Sequence, residues 1–354
     1  NVTERLKEST RPAAIFSNKI LAYNPDSTAV VMDVTNFFLA DNPLFPPFSP
    51  YAPITGNGQR TITKMFKKDK SQFAKVKAFE DNASLQTMLT YEVDVRDKQQ
   101  YYMYKLPFST VMTYSFILLP EEQMRPRIAD PRIGIFYQGY YNIEKEHGLT
   151  PLYCARRWRL EPSDLEGYLA GKKVTPVKPI VFYIDSCFPE SWKKSIFEAV
   201  NQWNQPFEKI GFIQAIQAKE FPKDDPEFDP DNLKYSCIRY APVAIENAMG
   251  PSWVDPRSGE ILNASVYLYH DVIKLLNNWL FIQTAQADER VRHKIIPRVV
   301  MDDALRYVVS HEVGHCLGFM HNMSASSVIP VDSLRSPSFT QKNGTTTSIM
   351  DYAR

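Results

Sequence analysis

Three histidines, a glutamate and two glycines fall in one run, His311-Glu312-Val313-Gly314-His315-Cys316-Leu317-Gly318-Phe319-Met320-His321. His311 and His315 are four apart, so a helix sets both imidazoles on one face, one turn from each other. Glu312 adjoins the first of them, where its carboxylate reaches a water on a shared metal. That is the physical content of H-E-x-x-H: two zinc ligands and a general base. Gly318 follows His315 by three and His321 follows Gly318 by three. A glycine ends a helix in a left-handed conformation at little steric cost, so the chain can turn and return His321 to the same ion. Three neutral imidazoles leave a fourth position open for water, the catalytic form of a zinc site. The bare H-E-x-x-H arises by chance in on the order of one chain per hundred of this length. The added glycine and third histidine at fixed offsets make accident remote.

A second stretch, Ser348-Ile349-Met350-Asp351-Tyr352, follows His321. With the extended motif it resembles the Met-turn of the metzincin zinc endopeptidases. The segments His311 to Met320, Val331 to Ser338 and Ser348 to Arg354 resemble the large bacterial zinc-dependent metalloproteases with a met-zincin catalytic domain. Asp130-Pro131-Arg132-Ile133-Gly134 and Val254 to Leu262 fit the same family. The resemblance implies Zn(2+) held by His311, His315 and His321, with Met350 as a hydrophobic floor beneath them. It implies Glu312 as the catalytic base and Tyr352 as an extra zinc ligand or oxyanion donor. The implied partner is a protein or peptide substrate bound in extended form. In that clan an edge strand borders the cleft and pairs with the substrate, and the candidate here is the strand near Asn263 to Leu268. The implied location is extracellular, periplasmic or cell-surface. The chain ends at Arg354, four residues past Met350, where metzincins continue, so the resemblance implies a catalytic domain cut short after the Met-turn. The expected function is a zinc-dependent endopeptidase. The alternative is a non-proteolytic zinc-containing binding module, or a latent zymogen whose N-terminal domain blocks the cleft.

The elements that must position these residues divide the chain in two. Residues 1–175 read as a β-rich N-terminal domain with a cap, docking or scaffold role. Leu89, Tyr91, Val93 and Val95 alternate with polar residues, the period of a half-buried strand. Asp97-Lys98 reads as a turn and Tyr101 to Lys105 as the returning strand. Ala29 to Val34, Val111 to Leu119 and Gly134 to Tyr140 add further strands. Residues 156–178, with Pro162, Gly167, Gly171 and Pro176, read as the passage between domains. Residues 176–354 read as the metzincin-like peptidase domain. The pattern gives a strand at Ile180 to Ile184, an amphipathic helix over Pro189 to Ile210, and strands at Phe212 to Ala218, Ile238 to Val243 and Ile261 to Tyr269. The zinc helix spans Val299 to Leu317, with Asp302 and Asp303 suited to the positive end of its dipole. The expected fold class is α+β: a mixed sheet, a long backing helix and a zinc-site helix, preceded by the β-rich domain.

Composition narrows the partners. Lys and Arg number 41 against 40 Asp and Glu, a net charge of +1, which gives no reason to expect nucleic acid or anionic membrane. No stretch reads as a transmembrane segment, and Asn1 to Arg5 lacks the apolar core of a signal peptide. The pattern fixes no oligomeric state. Cys154, Cys187, Cys237 and Cys316 show no C-x-x-C pair. Cys316 is expected in the core. Cys154 lacks the matrixin cysteine-switch surroundings and reads as a buried thiol. The acidic run from Asp224 to Asp231 lacks the glycine and distal glutamate of a calcium loop, and the lysines from Lys64 to Lys77 read as a solvated surface. His147, His270 and His293 lie outside any ligand spacing. His270 is reserved as a proton carrier only if the fold brings it to the cleft.

Overall fold

The computed structural model describes residues 2–11, 13–48, 53–56, 58–144 and 148–352, and His147 lies outside them. The chain divides into two compact units, Asn1–Phe116 and Ile117–Arg354. The second unit thus begins well upstream of the boundary expected at 175.

The first unit carries helix α1 (Val2–Ser9), the antiparallel pair β1 (Ile20–Tyr23) and β2 (Val30–Met32), and the short helix α2 (Thr35–Phe38). Its main sheet is built on β5 (Asn82–Asp97), which pairs with β3 (Arg60–Phe66), β4 (Gln72–Ala78) and β6 (Gln100–Ile117). The alternation seen in the sequence puts Leu89, Tyr91, Val93 and Val95 in the core of this unit. Lys98, at φ +56°, makes the turn between β5 and β6. The strand expected over Val111 to Leu119 is the second half of β6 rather than a separate element.

In the second unit, β7 (Tyr137–Glu144) and β8 (Gly148–Ala155) form an antiparallel hairpin, followed by α3 (Leu165–Leu169). Then come β9 (Ile180–Ile184), α4 (Glu190–Asn201), α5 (Asn204–Lys209), β10 (Ile216–Glu220), β11 (Ser236–Ala241), β12 (Ala248–Met249), β13 (Ser252–Val254), β14 (Ile261–Ala264) and β15 (Val266–Tyr269). The main sheet has the order β10-β9-β11-β15-β12. Its first four strands run parallel and β12 runs antiparallel at the edge. Helix α6 (Val272–Thr284) precedes α7 (Arg298–Cys316), and the short α8 (Val331–Leu334) and α9 (Pro337–Asn343) follow it. α4 packs on β9 and β10, α7 packs on β12 and β15, and the two helices pack on each other. Ile196, Val200, Phe182, Leu268, Leu305, Val309 and Val313 fill the layer between them. Truncating one such side chain, Leu305→Ala for example, is expected to remove about 2–5 kcal/mol.

Three expectations are corrected. The helix expected over Pro189 to Ile210 is two helices, interrupted at Gln202 and Trp203. The strand expected over Ile261 to Tyr269 breaks at Ser265: β14 pairs with β13 in a separate sheet, and only β15 joins the main one. The segment Asn263 to Leu268 is therefore not the edge, because β15 lies between β11 and β12. The edge is β12. Among the described residues no helix is long and apolar enough to cross a membrane.

Candidate metal centre

Helix α7 buries Leu305, Val309, Val313 and Cys316 on its sheet side, and that fixes where its other face points. His311 and His315 share that face, with ring centroids 4.8 Å apart. Each ring is oriented by its Nδ1. His311 Nδ1–H donates to the Ile349 carbonyl at 2.8 Å, and His315 Nδ1–H donates to the Phe319 carbonyl at 2.8 Å. A carbonyl can only accept, so both neutral rings carry their proton on Nδ1 and present an Nε2 lone pair. His321 closes the group, with ring centroids 4.7 Å from His315 and 5.2 Å from His311. One nitrogen from each of the three lies within 4.8 Å of the others. The Nε2 atoms of His315 and His321 are 3.2 Å apart. Two nitrogens sharing a tetrahedral zinc at ~2.0–2.1 Å sit about 3.3–3.4 Å from each other, so the donor set fits a zinc ion. Burial lowers the pKa of both His315 and His321, which favours the neutral, ligating rings.

The bend that returns His321 needs more than its own residues. Gly318 has φ +105°, and a Cβ there would lie 2.4 Å from the Arg156 carbonyl oxygen. Only glycine satisfies both conditions. The Phe136 N–H donates to Gly318 O at 2.7 Å, and the Met320 N–H donates to Gly134 O at 2.8 Å. The Trp158 indole N–H donates to Cys316 O at 2.9 Å, capping the end of α7. The Phe136 ring lies 5.7 Å from the His315 ring, and Trp203 stacks on Phe319 at 5.9 Å. Residues 134–136 and 156–158 thus brace the bend, although the sequence assigned them no part in the site. The one available signal was Asp130 to Gly134, which resembles the same family as the histidine motif.

Met350 packs beneath α7. It is almost fully buried, and a Cβ at Gly314 would meet its Sδ at 2.4 Å. Gly314, which directly precedes His315, thereby leaves room for the thioether beneath the helix. Met350 O accepts the Asn322 N–H at 2.9 Å, tying this turn to the residue after His321. Asp351 holds the turn shut: its carboxylate accepts the Ser326 N–H at 2.8 Å and the Thr346 hydroxyl at 3.0 Å. Burial opposes its charge, but those hydrogen bonds keep its carboxyl below the usual range. Tyr352 is half exposed, with its ring 4.7 Å from that of His321 and 5.5 Å from that of His311.

A cavity of about 220 Å³ opens beside these groups. It is lined by His311, Glu312 and Tyr352, with Ala248 of the edge strand, Tyr307 and Trp279. Burial pushes the Glu312 carboxyl up to about 7. A carboxyl so placed exchanges a proton readily near neutral pH. Just past β12, a Cβ on Gly250 would lie 2.6 Å from the Glu312 carbonyl oxygen, so the edge segment runs directly against α7.

The other candidates stay outside the cleft. His270 bonds through Nδ1 to the Tyr240 hydroxyl at 2.7 Å and stacks on Trp192, and His293 is exposed. Cys316 is fully buried, and burial raises its thiol pKa far above the ordinary value. Cys154 is buried 2.7 Å from the Tyr140 hydroxyl, and all four cysteines are free.

Residues 294–354 match the Met-zincin family model. That match takes in α7, all three histidines and Met350. The histidine cluster fits a metzincin zinc site, and the Met-zincin region follows a β-rich N-terminal part in an α+β chain. Residues 1–163 match a second family, described as a domain of unknown function (DUF5117). Neither a curated protein nor a solved structure matches the chain. The residues that brace the bend, 134–136 and 156–158, fall within the upstream match, whereas the bend itself belongs to the Met-zincin segment.

Proposed function

We propose that this protein is a zinc-dependent endopeptidase. The observation that carries the reading is the convergence of three imidazoles above Met350, beside a recessed glutamate, in a cleft bordered by a sheet edge. His311, His315 and His321 would hold zinc, which when bound supplies Lewis-acid chemistry for a scissile carbonyl and for water.

The chain's own residues do the rest. The edge strand β12, paired with β15 on one side, would offer its other side to an extended peptide, so affinity comes from main-chain hydrogen bonds without strong sequence demands. The Glu312 carboxylate takes a proton from the attacking water and hands it to the departing amine. Its place in the wall of the cleft, beside His311, suits both halves of that transfer. Tyr352 donates its hydroxyl proton as a hydrogen bond to the developing oxyanion. The Ile349 and Phe319 carbonyls keep His311 and His315 in the tautomer that ligates.

Glu312→Gln tests this directly. The variant is expected to keep its zinc by elemental analysis and to lose peptide hydrolysis by about a thousandfold or more. Retained turnover in that variant removes Glu312 from the reaction.

A further inference from the structure

A second cavity, of about 550 Å³, lies on the other side of the metal helix's end. It is more than twice the volume of the metal cleft and falls in the range of small-molecule sites. Trp158, Tyr168, Trp203, Phe207, Phe212 and Phe319 give it an aromatic wall. Its charged residues are two arginines, Arg127 and Arg157.

The polar atoms of that wall are already engaged within the protein. Trp158 Nε1–H donates to Cys316 O at 2.9 Å, Trp203 Nε1–H to Ser310 O at 3.1 Å, and the Tyr168 hydroxyl to Ile210 O at 3.0 Å. The wall therefore has little to give a peptide backbone. The arginines differ. One terminal nitrogen of Arg157 donates to Arg125 O at 2.6 Å, but its buried Nε–H meets no acceptor among the described residues. A buried donor of this kind calls for a partner. Burial lowers the Arg157 pKa and the neighbouring Arg127 charge lowers it further. Glu260 acts on Arg157 in the opposite sense, but Arg159 holds both of its carboxylate oxygens at 2.8 Å. Two like charges beside an apolar cavity favour an anion between them.

We propose that this cavity binds a fatty-acid carboxylate, with its head on Arg127 and Arg157 and its hydrocarbon chain along the aromatic wall. One anionic head and an apolar body match what the lining offers: two arginines, of which Arg127 is exposed, and otherwise a largely apolar and aromatic surface. The site is separate from the metal cleft, and it does not depend on peptidase activity. Its occupant would rest against Phe319, whose carbonyl holds His315.

The test is calorimetric titration of the full chain with dodecanoate and with dodecanol, the neutral ligand of equal chain length. Dodecanoate is expected to bind saturably and at least about tenfold more tightly than dodecanol, since a charge-assisted bidentate contact is the only difference between them. The double variant Arg127→Gln with Arg157→Gln is expected to abolish that preference while dodecanol binding is kept. Equal affinity of acid and alcohol for the unaltered protein overturns the proposal, as does the absence of saturable binding by dodecanoate. Undiminished preference in a double variant with the unaltered circular dichroism spectrum overturns it too. If the double variant fails to fold, the comparison of the two ligands on the unaltered protein decides.

Discussion

His311 and His315 stand on one helix, whereas His321 stands beyond a bend, and the two regions are held by different means. The helical pair is placed by local geometry: a spacing of four, and an apolar face buried against the sheet. The bend is placed by segments distant in the chain. Gly134 and Phe136 contact the stretch from Cys316 to Met320 through backbone hydrogen bonds, Trp158 through its indole N–H, and Arg156 through the close approach of its carbonyl. The contrast teaches that two of the three candidate ligands come almost free with a helix, and the third depends on tertiary structure. Perturbations of the bend should therefore separate metal affinity from helix integrity.

The largest effect is expected from removing a helical ligand. His315→Ala should lose stoichiometric zinc, read by elemental analysis, because two remaining imidazoles make an incomplete site. Zinc retained at one per chain would place the metal elsewhere. Gly318→Val comes next and separates the two regions. It puts a β-branched residue at φ +105° against the Arg156 carbonyl, at an expected cost of about 2–4 kcal/mol. Zinc affinity should fall steeply in this variant while the helical circular dichroism signal persists. A variant with unaltered zinc affinity would show that the bend does not position His321.

Asp351→Asn probes the turn that carries Met350 and Tyr352. The Asp351 pKa is depressed in the folded protein, so its contribution to stability is present above the ordinary carboxylate pKa and is lost as the pH falls through the folded value. The variant should be less stable at pH 7 by about 1–2 kcal/mol. The gap between the two proteins should close below about pH 4. A gap that is constant with pH, measured by denaturant unfolding, would remove the charged carboxylate from the account. The smallest effect is expected at Tyr352→Phe: kcat down about threefold with KM and zinc content unchanged, since a half-exposed hydroxyl shares the oxyanion with solvent.

Much of the site was legible in the sequence because its signals are local. The helix over His311 and His315 and the turn at Gly318 follow from spacing and from what glycine permits, whereas the position of Met350 was implied only by the resemblance to a Met-turn. The glycine at 314 was not read as meaningful, although its lack of a side chain is what admits the Met350 thioether. The edge of the sheet was misplaced for a physical reason. Ile261 to Tyr269 is apolar except at Asn263 and Ser265, and a run buried on both sides of Ser265 does not reveal that the chain changes sheets there. The bracing role of residues 134–136 was invisible because a strand's alternation says which face is buried but not against what. The break in the helix at Gln202 and Trp203 was likewise masked by apolar residues that keep the helical period on either side.

The central claim is that the three imidazoles hold one ion through nitrogen. Zinc-edge X-ray absorption on the zinc-loaded protein tests it most directly. The expected first shell is three imidazole nitrogens at about 2.0–2.1 Å plus an oxygen, with one nitrogen lost in His321→Ala. A sulfur scatterer at about 2.3 Å, or a first shell that His321→Ala leaves unchanged, would contradict it.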